Sequence, residues 1–122
     1  MAQRLPPELE NKIARMQQLQ AQYNRVVQER VAVESEVAEI NRVLKVLSEV
    51  QDATVYRMVG GILVRVERDK VKKELEDRKE ILELRLQKLK KQEQEIRKQL
   101  EQLAREVQQL QQRLAIGKGG AG

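Results

Sequence analysis

The side chains that most often perform covalent chemistry are missing from this sequence. Its 122 residues include no histidine and no cysteine. General acid–base and nucleophilic catalysis draw heavily on those two types, and the softer metal ligands vanish with them. Carboxylates are plentiful, but the 19 Asp and Glu are interleaved with 24 Lys and Arg. That pattern belongs to a solvated helix surface rather than to a poised acid–base pair. Gly60-Gly61 lies between two β-branched stretches and reads as a turn, not as a loop that cradles phosphate. The sequence therefore predicts no enzyme, no cofactor and no metal site. What it offers instead is apolar contact surface in two places. One is the stretch from Val55 to Val66, and the other is the pair of chain ends.

The composition says how such surfaces must be carried. Charged residues make up 35% and aromatics 2%, with no Phe and no Trp. A globular core of this size relies on aromatics for buried area. Here Leu, Val and Ile must supply it along a thin seam, which is the coiled-coil composition. The net charge of +5 favours mild attraction to acidic partners. No basic helix of the leucine-zipper DNA-binding type is present, because Lys88-Leu89-Lys90-Lys91 is short and runs into Glu93 and Glu95. No apolar run approaches the ~20 residues of a membrane span, and Met1 to Pro7 lack the apolar core of a signal peptide. The expectation is a cytoplasmic protein that binds neither nucleic acid nor membrane.

Heptads position everything else. Pro6-Pro7-Glu8 marks a helix start, and the first helix should run over about 7–50, roughly 65 Å at 1.5 Å per residue. Its seam reads Leu9, Lys12, Met16, Leu19, Tyr23, Val26, Arg30, Val33, Val37, Ile40, Leu44, Leu47. Asp69 is the expected cap of a second helix over about 69–116. That seam reads Leu75, Lys79, Leu82, Leu86, Leu89, Glu93, Ile96, Leu100, Leu103, Val107, Leu110, Leu114. Glu74–Arg78, Glu93–Arg97 and Glu101–Arg105 have the favourable four-residue spacing. Residues 117–122 should form a flexible tail after Gly117.

Between the helices the period falls to two. A hairpin over about 54–67 turns at Gly60-Gly61 and pairs Val59 with Ile62, Met58 with Leu63, and Tyr56 with Arg65. The simplest closure lays the helices antiparallel, with Leu9 opposite Leu110, Leu19 opposite Leu100 and Tyr23 opposite Ile96. A lone two-stranded hairpin is marginal in water, and this one has two largely apolar faces and two open edges. The expected remedy is pairing between copies until a barrel closes, with Val55, Tyr56, Met58, Val59, Gly60, Gly61, Ile62, Leu63, Val64 and Val66 as the oligomerisation hairpin. The alternative folds the hairpin back on its own helices, where Ile81 and Leu84 offer cover. At the opposite tip, Leu5, Leu9, Ile13 and Met16 meet Leu110, Leu114 and Ile116. They form either a fraying apolar contact surface or the ordinary end of the seam.

Heptads, then Val55-Tyr56-Arg57 through Gly60-Gly61 to Ile62-Leu63-Val64-Arg65-Val66, then heptads again, resemble the prefoldin beta subunit family, most closely its archaeal form. The resemblance covers nearly the whole chain, which makes 1–122 a single prefoldin-like domain. It implies a mainly α fold: a long antiparallel two-helix coiled coil whose central β-hairpin joins an intersubunit β-barrel. It further implies a hexamer with a prefoldin alpha-type subunit, two alpha and four beta. Such an assembly holds unfolded client proteins at its coiled-coil tips without ATP and passes them to a group II chaperonin. By position, the client-binding residues would be Leu5, Leu9, Ile13, Met16, Leu110, Leu114 and Ile116. The competing reading is a coiled-coil tether or oligomerisation module that binds no client.

Overall fold

The computed structural model describes residues 5–120, with side chains described to 116. Helix α1 spans Pro7–Glu49, strand β1 Thr54–Val59, strand β2 Ile62–Glu67 and helix α2 Arg68–Gly120. The described residues group into two compact units. A terminal unit combines α1 up to Gln28 with α2 from Leu89, and a hairpin unit runs from Glu29 to Lys88.

In the terminal unit, Pro7 takes the first helical position, where its missing N–H costs nothing. The Pro6 carbonyl accepts from the Glu10 amide at 3.0 Å and closes the first turn. Leu9, Leu19 and Leu89 are buried, Leu19 to 1% and Leu89 to 0% exposure. Lys12 Nζ reaches Glu106 Oε2 at 2.8 Å, and Arg97 Nη2 donates to the Tyr23 hydroxyl at 3.2 Å. Each tie falls one residue from the partners the heptad register predicts, Val107 and Ile96.

The hairpin unit buries Val33, Ile40, Leu47, Val71 and Leu82. Arg85 Nε donates to Glu29 Oε1 at 2.9 Å, and Arg78 Nε to Glu36 Oε1 at 3.1 Å. Each of these four residues immediately precedes a seam position, on the flank where antiparallel coils place interhelical ion pairs. Glu74 turns to Arg57 on β1, with Nη2 to Oε2 at 3.0 Å, so the expected Glu74–Arg78 pair gives way to two long-range ones. Arg105 likewise donates to Gln102 rather than to Glu101. Long flexible arms have several acceptors in reach, and only the assembled fold selects among them.

Two boundaries differ from expectation. Helix α2 starts at Arg68, straight from β2, so Asp69 lies inside the first turn rather than capping it. There its carboxylate still favours the positive end of the helix dipole. At the other end α2 continues to Gly120, past Ile116, where the flexible tail was expected. Glycine carries no steric bar to helical geometry, only an entropic cost of roughly 0.5–1 kcal/mol against alanine. The rest of that tail, 121–122, lies outside the described residues.

Substituting Leu19→Ala or Leu89→Ala should cost about 2–5 kcal/mol, because each empties a fully enclosed seam position. Leu84→Ala, with the parent side chain exposed, should change stability by less than about 0.5 kcal/mol. Chemical denaturation followed by circular dichroism, at one fixed protein concentration, ranks the three.

Candidate functional site: an exposed hairpin and an apolar helix end

The hairpin is built from its turn outward. Gly60 and Gly61 have φ of 56° and 81°, the left-handed pair that a type I′ turn requires. A two-residue turn fixes the register, which runs Val59↔Ile62, Met58↔Leu63, Arg57↔Val64, Tyr56↔Arg65, Val55↔Val66 and Thr54↔Glu67. These are the pairs the sequence predicts. Cross-strand partners share a face, so Val55, Val66, Val64, Val59 and Ile62 lie on one side around Arg57. Tyr56, Met58, Leu63 and Arg65 lie on the other.

The base of the ribbon is anchored. Val55 and Val66 are half-buried and line a shallow cleft with Val43, Leu47, Val71 and Leu75. Arg68 ties the junction together. Its amide donates to the Ala53 carbonyl at 2.8 Å, and its guanidinium donates to the Val50 carbonyl. Asp52 accepts from the Thr54 amide at 3.0 Å and sets the chain up for β1.

Beyond that base both faces are bare. Tyr56, Met58, Val59, Ile62, Leu63 and Val64 are all exposed, Ile62 to 67% and Met58 to 66%. Ile81 and Leu84, the proposed internal cover, are themselves exposed. The hairpin is thus not folded back on its own helices. Its sheet has two strands only, so each strand leaves one edge unpaired within the described residues.

The terminal unit holds the second set. Leu9 is buried at 2% exposure, Ile13, Met16 and Leu110 are half-buried, and Leu5, Leu114 and Ile116 are exposed. The apolar surface offered to solvent therefore comes from the outermost residues, while Leu9 serves the seam. Glu106 titrates below the ordinary glutamate range, chiefly because Lys12 donates to it and next because Gln102 does. The Tyr23 hydroxyl raises the Arg97 guanidinium above its usual value. Among the described residues no cluster of three or more His, Cys, Asp or Glu could hold a metal, and no helix is long and apolar enough to cross a membrane.

Two long helices joined by an otherwise uncovered two-stranded hairpin define the fold class. Comparison with known proteins is specific. A family model for the prefoldin subunit matches residues 10–113. The prefoldin subunit beta of Sulfolobus acidocaldarius is 46% identical over 80 residues, and that of Sulfurisphaera tokodaii 44%. Each alignment covers 65% of this chain and 64% of the relative. A crystal structure of the prefoldin beta subunit from Thermococcus strain KS-1 superposes with a TM-score of 0.78 at 30% identity, covering 89% of this chain and 96% of that one. The chain belongs to the prefoldin subunit family, and it is of the beta type.

Two measurements probe these surfaces. Placing charge on the ribbon with Val59→Lys and Ile62→Lys should abolish association while leaving helical content intact, read by native mass spectrometry and circular dichroism. The Lys12–Glu106 tie should show its own pH signature. Because the folded state depresses the Glu106 pKa, its contribution is complete above the unfolded value of about 4.3 and is lost as pH falls through the lower folded value. Lys12→Met should flatten that acid limb in pH-dependent urea titrations.

Proposed function

We propose that this chain is the beta-type subunit of an ATP-independent holdase. In this reading, hairpins of several subunits pair edge to edge into β-barrels, two alpha-type and four beta-type chains making a hexamer. The observation that carries it is the ribbon itself, with two apolar faces and two open edges on a chain of the prefoldin family. A protein that kept such a ribbon unpaired would aggregate through it.

The client-binding surface is then the apolar end of the terminal unit: Leu5, Leu114 and Ile116 first, with Ile13, Met16 and Leu110 beside them. Leu9 contributes only when the helix ends fray. Methionine adapts its shape to varied partners, which suits contact with non-native chains. Several weak ends acting together retain a client by avidity, so no single end needs tight binding. Charged outer faces keep the loaded complex dispersed. Release to a group II chaperonin in the cytoplasm completes the proposed cycle, with no nucleotide or cofactor.

The test is assembly and protection measured separately. Native mass spectrometry with an alpha-type partner should give a hexamer, and a monomer under all conditions would exclude the reading. Removing residues 1–16 and 110–122 should leave the assembly intact yet lower its suppression of aggregation of a denatured protein several-fold. Undiminished protection would move the client site elsewhere.

A further inference from the structure

The charge of this protein is unevenly placed. Residues 29–88, the hairpin unit, carry thirteen Lys and Arg against thirteen Asp and Glu. The rest of the chain carries eleven against six, so the whole net charge of +5 resides with the terminal unit. Some cations of each unit are held in ion pairs and others are not. In the hairpin unit Arg57, Arg78 and Arg85 are held by Glu74, Glu36 and Glu29. In the terminal unit Arg15, Arg25, Lys90, Lys91, Lys98 and Arg113 are exposed. None of these six forms an ion pair among the described residues.

Part of the excess lines a groove. An open furrow in the terminal unit has Leu19 and Leu103 along its floor, and Arg15, Lys98 and Arg105 on its rim. Two acids also line it, Glu101 and Glu106. Glu106 is already occupied by Lys12 and Gln102, so the lining sets one further acid, Glu101, against three cations. An apolar floor with a net basic rim fits an extended polypeptide that alternates apolar side chains with carboxylates. It fits nucleic acid poorly. Single strands are held by stacking on aromatic rings, and the sole aromatic of this unit, Tyr23, is half-buried with its hydroxyl engaged by Arg97.

We propose that the terminal unit selects clients by charge, taking unfolded segments whose apolar residues are flanked by Asp and Glu in preference to those flanked by Lys and Arg. This rests on the holdase reading and names its substrate class. The groove supplies orientation and encounter rate through its cations, while the apolar helix end supplies retention. Screening weakens the first contribution and spares the second, so the preference is a low-salt property.

The experiment uses the assembled complex with its alpha-type partner. Two labelled, non-folding peptides share one apolar sequence, the first flanked by glutamates and the second by lysines, and binding is followed by fluorescence anisotropy. The glutamate peptide should bind about tenfold tighter at low ionic strength, and the advantage should fall to about twofold or less near 0.5 M salt. The triple change Arg15→Gln, Lys98→Gln and Arg105→Gln should erase it, with assembly confirmed by native mass spectrometry. If the triple variant fails to assemble, the salt dependence of the parent complex decides alone. Equal binding of both peptides overturns the charge selection and leaves the holdase reading standing, whereas binding of neither overturns both. A single-stranded RNA that outcompetes the glutamate peptide also overturns the proposal.

Discussion

A β-ribbon of two six-residue strands cannot satisfy itself in water. Each of its strands has one row of amides and carbonyls with no strand beside it, and most of its side chains are apolar and bare. Several features of the hairpin unit hold that ribbon in place. The glycine pair forces the turn, Val55 and Val66 root it against the helix ends, and Arg68 and Asp52 pin the junction. Arg57 would place a charge in the middle of one apolar face, but it swings aside to Glu74.

The helices answer a different constraint. With only two tyrosines and no Phe or Trp, burial must come from many small increments along a seam, and the seam has to be continuous to be worth forming. Nearly every heptad position is buried or half-buried, including the charged Lys12, Arg30, Lys79 and Glu93; the aliphatic stems of Lys12 and Lys79 pack while their charged heads reach Glu106 and Glu83. Among seam residues only Leu114, near the chain end, is exposed.

Much of this was legible beforehand because it is local. A period of two broken by Gly-Gly determines register, and a heptad determines which stripe is hidden. What escaped the sequence was decided at a distance. Val71 is buried although the seam was expected to resume only at Leu75, since the hairpin base supplies an extra layer of cover. Glu74 and Arg78 abandoned each other because better-placed partners stood on other elements. Leu9, read both as the first seam residue and as part of the apolar tip, is buried in the seam. Composition gave the sum of the charges; only the division into units revealed that one balances to zero.

The passage from β2 to α2 has a mechanical meaning. Glu67 ends the strand and Arg68 begins the helix, with no residue between them to act as a swivel. Arg68 also holds the residue that follows α1, through the Val50 carbonyl. Ribbon and rod are consequently welded, like a crank to its shaft. Any torque applied to the helices in this part of the molecule is passed directly to the ribbon.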